Sequence, residues 1–277
     1  MNLLETKSMN LKSGLATALV AAIVAAIVSV ALVHFIYWRG SSVGDIASGA
    51  GGVDQSRVES IVRDYLTGHP EILVEMTNEL DKRQAAEQAA QQEKVITENA
   101  DKIFRSPTAF VAGNPDGDVS VVEFFDYNCG FCRRALPDVV KLVNGDNKIR
   151  LVLKELPIFG EDSEDAAKAT LAAQKQGKYF EMHQKLFTEP GKADKAKALA
   201  VAKELGLDVA QLEKDMSDPS IKQALEESKD LAQKLNLQGT PLYLIGDRVI
   251  AGAPDDLYDE LKKNVADVRE KGCKATC

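Results

Sequence analysis

Histidine and tryptophan are nearly missing from this chain, with three and one in 277 residues, and cysteine is scarce at four. These shortages narrow the chemistry. No His-x-x-x-His or Cys-x-His cluster is present, so nothing imidazole-based supports a zinc site. The four thiols fall into two close pairs, Cys129/Cys132 and Cys273/Cys277, about 140 residues apart. A four-thiolate zinc site built from pairs so distant is the weaker reading, and redox chemistry the stronger one, because of the context of the first pair given below. Positive charge is also in short supply: 34 Lys and Arg against 42 Asp and Glu leave a formal charge of −8. That balance argues against nucleic acid as a partner. The few histidines have ordinary readings: His34 sits in an apolar run as an interfacial residue, His69 belongs to a helix break, and His183 is a partly exposed member of a helical core.

Hydrophobic residues make up 45% of the chain, enough for one good-sized domain with appendages. Residues 1–14 are polar and read as a cytoplasmic N-terminus. Residues 15–38 carry no charge, and Tyr37 and Trp38 close them like a membrane-interface belt. The run is longer than the apolar part of a secretory signal and lacks a clear small-x-small site at its end. It reads as an uncleaved transmembrane anchor, with a cleaved signal, cut near Ala47-Ser48-Gly49, as the alternative. Either way the rest of the chain is exported, into a compartment where cysteine redox chemistry persists. Residues 39–52 are rich in Gly, Ser and Ala and predict a flexible tether.

Over residues 53–104 the pattern is helical. Val58, Ile61, Val62 and Tyr65 fall at helical spacing, Gly68-His69-Pro70 breaks the run, and Ile72, Leu73, Met76 and Leu80 resume it. The Ala/Gln/Glu-rich stretch from Gln84 to Glu93 favours helix but has little apolar surface to bury. The region reads as a partner helix that makes a homo-oligomer, or else as a helix folded back on its own domain. The heptad pattern fails after Leu80, so dimer and trimer stay open.

The chain is organised around Val119–Pro137, VSVVEFFDYNCGFCRRALP. A buried strand, Val119–Phe125, runs through a turn into a helix beginning at Cys129. A helix N-terminus offers unpaired N–H groups and the positive end of the helix dipole, which stabilise a thiolate. Cys132 lies three residues on, on the same helical face, placed to resolve a mixed disulfide formed at Cys129. Two charges interrupt the apolar strands: Glu123, and Lys154 on the next strand, Ile149–Leu156. Pairing between them would relieve the cost of burying either alone. A buried Glu123 would have a raised pKa and could exchange a proton with Cys132. The strand–helix–strand order predicts parallel pairing through a right-handed crossover. From Ser163 to Leu235 the pattern is helical: Ser163–Gln176, Lys178–Thr188, Lys192–Leu205, Asp208–Ser217 and Pro219–Leu235. A hairpin, Leu242–Ile245 with Val249–Ala251, and a closing helix to about Lys271 follow.

The segment Glu-Phe-Phe-Asp-Tyr-Asn-Cys-Gly-Phe-Cys-Arg, together with Gly239-Thr240-Pro241 before an apolar run, resembles the DsbA-like thioredoxin-fold proteins. It is most similar to the ScsC-type branch, which carries an N-terminal oligomerisation helix. The resemblance covers about residues 105–272. It implies an α/β thioredoxin fold over residues 105–277 with a helical insertion at about 162–236, and a thiol–disulfide oxidoreductase of the periplasm. It further implies a cis proline at Pro241 opposite the dithiol, a buried acid at Glu123, and a substrate chain held by Thr240, Pro241, Gly130 and Phe131. No cofactor is implied beyond the redox-active Cys129/Cys132 disulfide, and no metal. Cys273 and Cys277 are a possible second disulfide or a disordered or intermolecular pair. No imidazole stands between the active cysteines, which predicts a less oxidising couple than that of relatives with histidine there. Disulfide isomerase or reductase work on misfolded proteins, with a DsbD-like membrane reductant, is the first reading. A dithiol oxidase with a DsbB-like oxidant is the second, and a chaperone or copper-handling binder the third.

Overall fold

A computed structural model describes residues 54–274. The expected N-terminus, membrane run and tether, and Cys277, lie outside the described residues. Among the described residues no helix is long and apolar enough to cross a membrane. The chain divides into two compact units, Met1–Leu80 and Asp81–Cys277.

In the first unit, α1 (Gln55–Gly68) starts where the Asp54 side chain accepts from the Ser56 N–H, a cap that satisfies one of the helix's orphan donors. It stops at Gly68, and α2 (Glu71–Glu98) begins just after Pro70. Val58, Ile61, Val62 and Tyr65 share one face of α1 and are exposed, as are Leu73, Met76 and Leu80 on the first turns of α2.

The second unit takes in the rest of α2, which buries Val95 and Ile96, and α3 (Ala100–Phe104), which buries Ile103 and Phe104. Its five-stranded mixed sheet contains β1 (Phe110–Gly113), β2 (Val119–Phe125), β3 (Ile149–Glu155), β4 (Leu242–Ile245) and β5 (Arg248–Ala251), in the order β1-β3-β2-β4-β5. β2 and β3 pair in parallel with Val119 opposite Ile149; the other pairings are antiparallel. All seven residues of β2 and of β3 are buried, as the near-continuous apolar runs of central parallel strands require.

The sheet separates two cores. Val122, Phe124, Val152, Leu242 and Leu244 pack with Ile96, Ile103, Phe104 and the apolar face of α9 (Pro219–Lys234). Val121, Phe125, Leu151, Leu153, Tyr243 and Ile245 face the other way. They pack with α4 (Gly130–Gly145), α10 (Leu257–Lys271) and the helices inserted between β3 and β4: α5 (Glu161–Gln174), α6 (Tyr179–Thr188), α7 (Lys195–Glu204) and α8 (Val209–Asp215). Aspartates set three of the starts. Asp194, Asp208 and Asp218 each accept a main-chain N–H at an N-cap, and Pro219 follows the last in the first helical turn. Asp194 is why the helix read from Lys192 begins only at Lys195. His183 is not partly exposed: at 1% exposure it packs edge-on against Phe125 and Phe187, and burial drives its pKa down to about 3. Gly246 (φ +59) lets Cys273 approach so closely that a Cβ there would lie 2.7 Å from the Cys273 Cβ. Cys273 is disulfide-bonded.

The expected Glu123–Lys154 pair does not form. Register sets Glu123 opposite Leu153 and Lys154 opposite Phe124, so the two side chains leave opposite faces of the sheet. Lys154 Nζ donates instead to Glu227 Oε1 on α9 at 2.6 Å and to the Lys102 carbonyl on α3 at 2.6 Å. It ties β3, α3 and α9 together around the core of Val122 and Phe124 while only 2% exposed. Glu227→Ala strands that ammonium and is expected to cost about 3 kcal/mol in urea unfolding. Its exchange rate with a small disulfide should match wild type; a fall there would restore Lys154 to the chemistry.

Candidate active site

The site is built where β2 ends. The chain leaves the sheet at Phe125, turns at Asp126–Asn128 and enters α4 with Cys129 as its N-cap. The Cys129 sulfur accepts from the Cys132 N–H at 3.4 Å, and as a thiol donates to the Thr240 carbonyl at 3.2 Å. Both thiols are free and buried. Thr240 and Pro241 stand opposite, joined by a cis peptide bond.

The two sulfurs differ strongly in acidity. Hydrogen bonding from the Cys132 thiol, helped by Thr240 and the N–H groups of Cys132 and Phe131, lowers the Cys129 pKa to about 6 against the opposing effect of burial. The Thr240 hydroxyl is buried and has no partner while Cys129 is a thiol, so it is free to turn to the thiolate. Burial, donation to Cys129 and the charge of Glu123 push Cys132 far up. Cys129 is therefore the sulfur more readily ionised, and Cys132 the one that keeps its proton.

Glu123 lies beneath this pair. It is 3% exposed and accepts from the Tyr243 hydroxyl at 3.1 Å, across the β2–β4 register that sets the two residues opposite each other. Burial raises its pKa to about 8, and the Tyr243 hydrogen bond only partly offsets this. It is poised to hold or release a proton near neutral pH. Lys154 is absent from the site. Gly130 and Phe131 form the first turn of α4; the Phe131 ring is exposed, with the Arg134 guanidinium 5.0 Å from its centroid.

Sequence reasoning passed over two further acids. Glu155, at the end of β3, accepts from the hydroxyls of Tyr127 (3.0 Å) and Tyr179 (2.8 Å), and its other oxygen has no partner. Burial raises its pKa well above the carboxylate range. Asp126, in the turn before Cys129, is 2% exposed and fully hydrogen-bonded. A signal was present for both, since each is a carboxylate at the edge of a run too apolar to face water. Among the described residues no cluster of His, Cys, Asp and Glu is arranged to hold a metal ion.

A thioredoxin-like sheet, a Cys-x-x-Cys dithiol capping the helix after its central strand and a cis-proline facing the dithiol define a thioredoxin-fold dithiol protein. The chain belongs to the DSBA-like thioredoxin domain family, whose profile matches residues 120–265. A second profile, the copper resistance protein ScsC N-terminal domain, matches residues 54–87. Among curated relatives, the chain is 31% identical over 140 residues to a Na(+)/H(+) antiporter NhaA 1 of Salinispora arenicola, a match covering 50% of this chain and 22% of the relative's length. It is also 31% identical to the probable disulfide bond formation protein D of Bacillus cereus, over 62% of this chain and 85% of the relative. Among solved structures, a thioredoxin-like oxidoreductase from Silicibacter pomeroyi matches at 45% identity and TM-score 0.60, over 62% of this chain and 98% of its own. Proteus mirabilis ScsC in a compact conformation matches at 31% identity and TM-score 0.60, over 79% and 100%.

Proposed function

We propose that this chain is an exported thiol–disulfide oxidoreductase that acts on protein disulfides, chiefly as an isomerase or reductase. The observation that carries the reading is the geometry of the dithiol: Cys129 caps α4, accepts from the Cys132 N–H and meets the carbonyl of the cis-bonded Thr240, while Glu123 lies buried on the adjoining strand. The Cys129 thiolate attacks one sulfur of a substrate disulfide. A Cys129–substrate disulfide forms, the substrate's S–S bond breaks, and the departing thiolate takes a proton from solvent. The ionised form of Glu123, a minority at neutral pH given its pKa of about 8, accepts the Cys132 proton, and the Cys132 thiolate attacks the Cys129 sulfur. The enzyme disulfide forms, the second substrate thiolate leaves, and two electrons have passed to the substrate. In isomerisation the first departing thiolate, or another in the substrate, instead displaces Cys129 and no net electrons move. A dithiol reductant at the membrane would return the enzyme to its reduced form.

Thr240 and Pro241 hold the substrate chain beside Cys129, with Gly130 and Phe131 on the helix side. The direction of the chemistry is supported by Gly130-Phe131, which offers the Cys129 thiolate no imidazole, so the couple is less oxidising than one with histidine there. The exposed apolar face of α1 and the first turns of α2, within the ScsC-type match, support a homo-oligomer that sets several dithiols around one misfolded protein. The periplasm is the proposed compartment. The reduced protein should return activity to scrambled ribonuclease; no recovery, with retained exchange toward small disulfides, would remove the isomerase assignment. The name of the Bacillus relative favours a second reading, a dithiol oxidase, which rapid oxidation of a reduced peptide by the disulfide form would support.

A further inference from the structure

Two arginines, Arg133 and Arg134, follow Cys132 directly, in a chain where carboxylates outnumber cations by 42 to 34. Elsewhere on the second unit surface cations meet acids: Lys175, Lys185 and Arg269 each hold two carboxylates. Arg133 and Arg134 form no ion pair among the described residues; main-chain carbonyls hold them instead. Arg133 donates to the Glu189 carbonyl at 2.8 Å and the Gly191 carbonyl at 3.4 Å, on the loop between α6 and α7. Arg134 donates to the Ala253 carbonyl, just past β5. A carbonyl fixes a guanidinium in place without cancelling its charge. Two acids in that loop are engaged elsewhere: Glu189 pairs with Lys185 at 3.0 Å, and Asp194 accepts the Lys197 N–H. The Arg133 charge is felt by Lys197, whose Nζ shares the Glu189 carbonyl at 2.8 Å. Burial and then Arg133 lower the Lys197 pKa, against the pull of Glu189 and Asp194.

The two cations flank the nucleophile. Arg133 is four residues beyond Cys129, on the same face of α4, and helical side chains lean back over the preceding turn. The loop it grips is also joined to Asn128, the neighbour of Cys129, which bonds both main-chain groups of Ala193 at 2.9 and 2.8 Å. Arg134 stands on the other flank, its guanidinium 5.0 Å from the Phe131 ring centroid. Ala253, which it holds, follows Gly252, whose N–H donates to the Pro241 carbonyl at 2.8 Å. One cation thus lies on the insertion side of the dithiol and the other on the cis-proline side. A guanidinium has five N–H donors; Arg133 uses two and Arg134 one, so both keep donors for a carboxylate.

We propose that Arg133 and Arg134 are specificity-determining residues that select disulfides carrying a carboxylate close to the sulfur under attack. The proposal rests on the exchange reading above. Surface charge elsewhere on the chain is balanced or acidic, so the attraction is local to the dithiol, and it acts on the approach of the substrate rather than on the sulfurs.

The test follows single turnovers of the reduced full chain, each of which closes the Cys129–Cys132 disulfide and releases two thiols. Three small disulfides differ in charge: glutathione disulfide is anionic, hydroxyethyl disulfide neutral and cystamine cationic. Rates are read relative to the neutral probe, which cancels any change in the Cys129 thiolate itself. Arg133→Gln and Arg134→Gln should each lower the relative rate with glutathione disulfide by about threefold and raise that with cystamine. Salt of about 1 M, where charges act over only about 3 Å, should bring wild type to the double variant's values. Arg133→Lys and Arg134→Lys keep the charge and should retain most of the preference. Two disulfide-linked peptides, with aspartate or asparagine beside the cysteine, separate the sources of the carboxylate. A preference for the aspartate peptide supports acidic polypeptide segments as the substrate; a preference confined to glutathione disulfide supports a small acidic disulfide. Variants that slow all three probes equally would assign the arginines to the thiolate or the fold and overturn the proposal. Wild type that reduces all three without regard to charge overturns it too and leaves the exchange reading standing, whereas wild type inert toward every probe overturns both.

Discussion

Cys132→Ser should accumulate a covalent adduct with disulfide-containing protein, and its turnover should fall by about a thousandfold or more. With a pKa of about 6, Cys129 is mostly thiolate at pH 7, and a serine hydroxyl at position 132 keeps a donor for it, so the first attack proceeds in the variant. A serine hydroxyl cannot displace the substrate sulfur, and the mixed disulfide persists. Cys129→Ser should show no adduct and no turnover, because the remaining thiol is buried, far above neutrality in pKa and without the helix N-terminus to stabilise its charge. Non-reducing electrophoresis followed by mass spectrometry separates the cases. An adduct on Cys132 in the Cys129→Ser variant would reverse the assigned roles.

Glu123→Gln should flatten the dependence of stability on pH. A carboxyl whose pKa is near 4.5 in the unfolded chain and about 8 in the native one keeps its proton only in the native state between those values. The native state then binds more protons than the unfolded state, so stability falls as pH rises, by about 1.4 kcal/mol per pH unit. The contribution is fully present below pH 4.5 and lost as pH passes through about 8. Glutamine keeps an acceptor for the Tyr243 hydroxyl and carries no charge. It should be more stable than wild type at pH 8, by up to about 4 kcal/mol, and equal to it at pH 4. A residual slope of the same sign belongs to Glu155, whose pKa is also raised by burial. Resolution by Cys132 should slow by about a hundredfold, since the amide cannot take its proton. Urea titrations at pH 4, 6 and 8 give the first result and single-turnover kinetics the second. Parallel stability curves for wild type and variant would remove the buried-acid description.

The central strands and the dithiol were legible because their signals are local. Val119–Phe125 is too apolar and too short for anything but a buried strand, and Cys129-Gly-Phe-Cys132 follows it at the distance of one turn. Tertiary placement was harder. Glu123 and Lys154 look like partners in one dimension, but parallel pairing aligns Glu123 with Leu153, and a one-residue offset in a strand changes the face. The true partner, Glu227, sits on a helix 73 positions further on and reads there as another surface acid. His183 reads in the sequence as a partly exposed member of a helical core; only the packing of Phe125, Tyr127 and Phe187 around it reveals its full burial. Glu155 and Asp126 carried a signal, the apolar run each closes, but the hydroxyls and N–H groups that meet them come together only in the fold.

The outer strands of the sheet carry a consequence for the proposed work on unfolded chains. β2 and β3 are seven residues long, but β1 and β5, at the two edges, have only four each. An edge is a row of unpaired main-chain donors and acceptors, and a partly unfolded client brings extended segments that seek such a row. Four-residue edges, one closed by Gly113 and the other opened by Arg248, give a client too few rungs to nucleate a shared sheet. In the proposed role the molecule thus offers its thiol to aggregation-prone polypeptides while withholding the template on which co-aggregation would grow.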